Sequence, residues 1–236
     1  MAGKAYAWDE IRAGLQFIAA RNPDFLPNTV LVGRAACWYY RIALSRSGDP
    51  DFPVPEYSPT EESVWLSKDL DFMGESDDEI SELIGEPCPP MGTLVNFGGV
   101  TLDFISEGLK MTKQAAHATA RRAEVAELSF YLASPSLLFA EKQACVLQKN
   151  RPQDPLHREV LARFIKMELC QSLEFPEDLD TKSWLSEAKE AKTADIGFFT
   201  ADPALRRRLH LAPGLPAKHR AISHWIRHNV PQVLTL

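Results

Sequence analysis

The sequence predicts an α+β fold: a mixed sheet with its helices over residues 1–133, then an all-helical C-terminal part over residues 134–236. Three observations carry this. Thr29–Val32 is a β-rich run that stops at Gly33 and is followed by an apolar segment of helical length. Three further strand patterns follow, two of them flanking Gly98-Gly99 as a hairpin. Beyond residue 133 the apolar residues recur mainly at helical spacing.

The opening segment WDEIRAGLQFIAARNPDF places Ile11, Leu15 and Ile18 on one side of an amphipathic helix, which Asn22-Pro23 ends. After the strand–glycine–helix unit, residues 45–64 hold four prolines and two acidic clusters. Proline fixes φ and removes a backbone donor, so this segment reads as a long loop, a length that in compact domains is often functional. Trp65–Met73 reads as a strand with Asp69 and Asp71 on one face and Leu70 and Phe72 on the other. Gly74–Glu86 starts like a capped helix, with Asp77 and Asp78 near its beginning, and Pro87, Pro89 and Pro90 break the chain after it. The phrases TLVNF and VTLDFIS flank Gly98-Gly99, the signature of a tight two-residue turn, with Asp103 in the second strand. Residues 115–127 suggest no element, whereas Leu128–Leu132 reads as a strand. Ser134 is an N-cap with Pro135 at the first helical position, opening one helix. Further helices are expected over about residues 155–173, 181–192 and 217–229.

Composition is that of an ordinary globular chain, 45% hydrophobic and 25% charged. The net charge of -6 argues against a protein that coats nucleic acid, although it allows a local basic patch. The four cysteines, Cys37, Cys88, Cys145 and Cys170, are far apart with no C-x-x-C pair, which suits reduced thiols better than zinc ligands or a disulfide framework. The N-terminal residues lack the apolar run of a signal peptide, and no stretch approaches the ~18 apolar residues of a membrane span. The expectation is a cytoplasmic protein with no membrane partner.

The sharpest feature is SKDLDFMG. Two aspartates two apart on a strand point the same way. Half-buried together they repel each other and lose solvation, and a divalent cation relieves both costs. Mg²⁺ takes hard oxygen ligands and commonly binds one or two carboxylates plus substrate phosphates. Asp103, flanked by Leu102 and Phe104, supplies a third carboxylate from an expected neighbouring strand, and three such groups can hold two ions around a phosphoryl transfer. The alternative reading of D-x-D, the polar face of an edge strand with Lys68 as partner, is weakened by Asp103 and by the glycine turn upstream.

The succession VLVGRAACWYY, SKDLDF and VTLDFIS resembles the DNA polymerase beta-like nucleotidyltransferase superfamily. Its Lys-Asp-Leu-Asp-Phe phrase looks most like the AbiEii-type and related minimal nucleotidyltransferases, where Thr-Lys-Asp-Ile-Asp is usual. The downstream segment SPSLLFAEKQACVLQKNRPQDPLH also resembles that group. The resemblance covers about residues 28–160. It implies that Asp69, Asp71 and Asp103 bind Mg²⁺ or Mn²⁺ and carry catalysis. It further implies that Gly33 meets the nucleotide, that Lys142 touches its phosphates, and that Asp154 is a further polar or catalytic group; the Arg34 guanidinium, beside Gly33, could bind phosphate as well. The implied partners are a nucleoside triphosphate and a hydroxyl acceptor on RNA, protein or a small molecule. Two features depart from the family: Arg34 follows Gly33 where serine or glycine is usual, and the Gly33–Asp69 interval is long. They leave open a catalytically degenerate module of the same fold that binds a partner, as an antitoxin-like component would.

Other residues point less sharply. Lys142 has the apolar neighbours Leu138, Cys145 and Val146, which also suits a surface lysine lying over an apolar face. Arg206–Arg208, His210 and the later basic residues up to His228 read as a solvated helical face or a contact for RNA or an acidic surface. His224 and His228 are four apart but lack a nearby acid, so zinc is not expected. No P-loop or dinucleotide-binding glycine pattern is present.

Overall fold

The computed structural model describes residues 8–55, 69–74, 76–85, 87, 95–97, 100–125, 127–148, 154–172 and 202–208. The expected helices over 181–192 and 217–229, the basic residues from His210 onward, Lys68, and Cys88 lie outside them. The architecture is α+β, with one six-stranded mixed sheet and helices packed against it.

Helix α1 (Trp8–Arg21) buries Ile11, Leu15 and Ile18, as its spacing requires. A short α2 (Phe25–Asn28) leads into β1 (Val30–Leu31), both of whose residues are buried. Gly33 then opens α3 (Gly33–Ser47), which Gly48 closes in the left-handed conformation. The first three residues of the expected proline-rich loop, Ser45–Ser47, therefore belong to this helix. Strand β2 is Leu70–Met73; of the expected Trp65–Met73 strand, Asp69 lies just before it and residues 65–68 lie outside the described part. Helix α4 (Asp77–Ile84) is capped by Ser76, whose hydroxyl accepts from the Glu79 N–H.

The hairpin forms as expected. Strand β3 (Val95–Phe97) pairs antiparallel with β4 (Val100–Ile105), Phe97 facing Val100. Residues 115–127, which suggest no element by pattern, contain the end of a short helix α5 (Lys113–Ala118) and then β5 (Arg121–Val125). Strand β5 forms an antiparallel hairpin with β6 (Leu128–Leu132). Glu127 lies at the tip of this hairpin with φ 71°, a conformation that favours glycine, asparagine or aspartate over glutamate.

The sheet order is β3-β4-β2-β1-β6-β5. Strand β2 is parallel to β4 and antiparallel to β1, so the centre of the sheet is mixed. Helices α6 (Pro135–Leu147) and α7 (Asp154–Ser172) follow. Ser134 caps α6 through the Leu137 N–H, with Pro135 at its start. Both helices pack on each other and on α3, and Tyr40 of α3 stacks on Phe164 of α7 with ring centroids 4.9 Å apart. The Tyr40 hydroxyl donates to the Ala133 carbonyl at 2.9 Å, tying α3 to the end of β6.

A further short helix, α8 (Pro203–Arg208), places arginines on the segment after α3. Arg207 pairs with Asp51 at 3.0 Å and Arg208 with Asp49 at 2.5 Å. These two members of the basic cluster thus form ion pairs within the chain. Among the described residues no helix is long and apolar enough to cross a membrane. Cys37, Cys145 and Cys170 carry free thiols.

Candidate metal centre

The site begins where β1 gives way to α3. The Val32 N–H donates to the Asp71 carbonyl at 2.8 Å, which extends the β1–β2 pairing by one residue. Gly33 follows with φ 64°, a left-handed conformation. A Cβ at this position would overlap Oδ2 of Asp71. Glycine is therefore required twice over, for its backbone and for the space above it. The turn aims the first N–H groups of α3, which have no partner within the helix, at the carboxylate of β2. One of them, the Arg34 N–H, donates to Asp71.

The parallel pairing of β2 and β4 sets Asp71 directly beside Asp103 in register. Asp69 lies just ahead of β2, two residues before Asp71. The three carboxylates converge: one oxygen of each lies within 4.8 Å of the others. All three residues are half-buried. Such a spacing suits one divalent ion or a bridged pair, and the donors are hard oxygens of the kind Mg²⁺ and Mn²⁺ accept.

The electrostatics show how poorly this cluster tolerates its own charge. Burial pushes the Asp71 carboxyl up to about 7, and the neighbouring charges of Asp69 and Asp103 add to the effect, against the pull of Lys142 and the Arg34 N–H. Asp103 is raised as well, by burial and then by Asp69. A cation held among the three carboxylates would relieve both the burial and the repulsion.

The acids form one wall of a cavity of about 360 Å³. Gly33, Arg34 and Lys142 stand with them, while Ile105, Met111 and Cys145 line it as well. Lys142 is not the surface lysine that its apolar neighbours suggest. It is 5% exposed and its ammonium bonds Oδ1 of Asp154 at 3.0 Å. Burial alone would lower its pKa, but neighbouring acidic groups, the charge and hydrogen bond of Asp154 among them, outweigh that and hold it above the ordinary value. Asp154 begins α7 and is fully buried, and its Oδ2 accepts no hydrogen bond among the described residues. Of the residues singled out in the sequence, Asp69, Asp71, Asp103, Gly33, Arg34 and Lys142 thus meet at one cavity, and Asp154 lies behind Lys142.

Two residues escaped the sequence reading, Glu107 and Glu141, which also line the cavity. Glu107 had a signal: Asp103, Ile105 and Glu107 share a face of β4 and its continuation, by the period of two. Glu141 had none, because its partners are backbone groups of a distant loop.

The Gly33 turn gives a direct test. Gly33→Ala introduces a methyl group where the Asp71 carboxylate sits and strains the backbone. The variant is expected to lose divalent-metal binding and about 1–3 kcal/mol of stability. Calorimetric titration with Mn²⁺ and denaturant unfolding check both, and retained metal affinity would mean that Asp71 need not stay where it is.

No protein-family model matches the chain, and no curated protein and no solved structure matches it either. Function therefore rests on the site.

Proposed function

We propose that the chain is a metal-dependent nucleotidyltransferase with a DNA polymerase beta-like core. It transfers a nucleoside monophosphate from a nucleoside triphosphate to a hydroxyl and releases pyrophosphate. The observation that carries this is the convergence of Asp69, Asp71 and Asp103 on the N-terminus of a glycine-led helix. The strand order supports it: the third acid comes from a strand parallel to the D-x-D strand, which itself runs antiparallel to the strand before the glycine.

Bound Mg²⁺ or Mn²⁺ would neutralise the phosphates and polarise the bond to the leaving pyrophosphate. Asp69 and Asp71 would hold the ions. Asp103, on the adjoining strand, would share a metal and help activate the attacking hydroxyl by accepting its proton. The opening turn of α3 at Gly33–Arg34 faces the phosphate oxygens with N–H groups, as helix N-termini do for anions. The Arg34 guanidinium and the Lys142 ammonium add positive charge along the same wall. Catalysis then rests on alignment and charge neutralisation by groups already in place. The acceptor is a hydroxyl on RNA, protein or a small molecule.

Arg34 favours the second reading, a degenerate module of the same fold that binds a partner, because its long side chain stands where the family has serine or glycine. One comparison separates the two. On the enzyme reading, nucleoside triphosphates with Mn²⁺ raise the melting temperature by mass action. Arg34→Ser then weakens nucleotide affinity by ~1–3 kcal/mol, the size of a lost hydrogen bond to a charged group. On the degenerate reading the parent binds neither, and Arg34→Ser creates a metal site that the parent lacks. A parent and a variant that are both inert toward metal and nucleotide would sink both readings.

A further inference from the structure

We infer that Glu141 is a positioning residue that fixes the loop after β4 as the wall of the cavity that receives the nucleoside of the triphosphate. The inference rests on the nucleotidyltransferase reading and adds to it the side on which the uncharged part of the substrate lies.

The loop is residues 106–112, between β4 and α5. It closes on itself: Glu107 bridges to Thr112, and the Gly108 N–H donates to the Met111 carbonyl at 2.6 Å. Glu141 of α6 reaches across and holds it from outside. The Leu109 N–H donates to Oε1 at 3.1 Å and the Lys110 N–H to Oε2 at 2.7 Å. Both oxygens of one carboxylate are thus committed to consecutive backbone donors more than thirty residues away in the chain. Gly108 makes room for this. A Cβ on Gly108 would stand 2.7 Å from Oε1 and 2.8 Å from Oε2 of Glu141, closer than side chains tolerate. The carboxylate and the missing side chain form one fitted pair. Together they hold Met111, which is 5% exposed, at the cavity.

Charge decides what that wall faces. The phosphate-compatible groups of the cavity are Gly33, Arg34, Lys142 and the carboxylates that take a cation. The loop and the strand before it offer Ile105, Glu107, Gly108 and Met111, none of them cationic, and Glu141 adds a further carboxylate beside them. Carboxylates with no metal between them repel a polyphosphate, whereas they accept hydrogen bonds from ribose hydroxyls or base amino groups. An apolar surface with acceptors at its rim matches the nucleoside and mismatches the phosphates.

The experiment compares two ligands on the full chain by calorimetry in the presence of Mn²⁺: each of the four ribonucleoside triphosphates, and inorganic tripolyphosphate. Glu141→Ala frees the loop and is expected to weaken the best-bound nucleoside triphosphate at least about tenfold, as loss of two hydrogen bonds to a charged group allows. Tripolyphosphate binding should stay within about twofold of the parent. Glu141→Gln keeps one strong acceptor and should fall between parent and alanine variant. Gly108→Ala presses on the same carboxylate from the other side and should reproduce the selective loss. Equal weakening of both ligands would overturn the inference, because the clasp would then support the whole cavity, and so would no weakening of either. A parent that binds neither ligand overturns the nucleotidyltransferase reading, and this inference with it. Binding of both ligands by the parent without a selective effect of Glu141→Ala overturns the inference alone.

Discussion

Asp71→Asn should make the metal-free protein more stable at pH 8 while abolishing its affinity for divalent metal. The two effects have one origin. Asp71 has a carboxyl pushed up to about 7 in the folded chain, from an ordinary value of 3.8. Its folded pKa lies above its unfolded one, so the folded state binds this proton more tightly. Between about pH 4 and pH 7 the unfolded chain loses the proton first, and stability falls as pH rises through that window. Above about 7 the loss is complete and constant, on the order of 2–4 kcal/mol for a shift of this size. Asparagine keeps an acceptor for the Arg34 N–H and removes the charge, so the variant should recover much of that loss and show a flatter stability profile between pH 5 and 8. Metal affinity runs the opposite way in the parent. The ion needs the carboxylate, so affinity should climb roughly tenfold per pH unit toward about 7 and level off above it. Denaturant unfolding in a chelator, at several pH values, reads the first effect, and Mn²⁺ calorimetry reads the second. A variant less stable than the parent at pH 8 would mean that the three carboxylates do not strain the fold.

The site was legible in the sequence to the extent that its residues sit on regular elements. Asp69, Asp71 and Asp103 were placed by a period of two and by the Gly98-Gly99 hairpin, both local signals. Gly33 stood at a strand–helix junction, where a left-handed residue is common enough to expect. What was missed depends on tertiary contact. Strand β5 alternates Arg121, Ala123 and Val125 with Arg122 and Glu124, and only Ala123 is buried. An edge strand with so little inward apolar surface leaves no pattern to read. Lys142 belongs to a helix that is buried on most of its circumference, from Pro135 through Cys145. Such a helix has no polar face, so periodicity cannot tell whether a lysine on it reaches solvent. Its partner Asp154 lies across the α6–α7 connection, and their pairing depends on how those helices meet. Glu141 is the extreme case. A carboxylate that serves backbone N–H groups of a remote loop looks like any surface glutamate in a sequence.

Lys142→Ala should destabilise the protein by about 3–5 kcal/mol, the usual consequence of leaving a buried charge without its partner. The argument turns on Asp154. It is fully buried, its Oδ1 accepts from the Lys142 ammonium at 3.0 Å, and its Oδ2 accepts from no described residue. With the ammonium gone, a carboxylate remains in low dielectric beside the Cys37 thiol. That thiol is itself neutral at pH 7, because burial raises its pKa to about 11. The single substitution would lower nucleotide binding whether Lys142 meets phosphate or only holds the fold, so by itself it assigns no role. Replacing both partners does. Lys142→Met with Asp154→Leu exchanges an ion pair for apolar groups of similar volume, which is often neutral or stabilising. The double variant is therefore expected to recover most of the lost stability, within about 1 kcal/mol of the parent, and still to bind Mn²⁺ at the three aspartates. If Lys142 also meets the triphosphate, nucleotide affinity stays low, about tenfold or more below the parent. Denaturant unfolding measures the recovery and calorimetry with a nucleoside triphosphate and Mn²⁺ measures the affinity. A double variant that regains both stability and nucleotide binding would make the pair a structural fastening and remove Lys142 from the phosphate site. Regained stability with lost affinity would assign the ammonium to the triphosphate and Asp154 to holding it there.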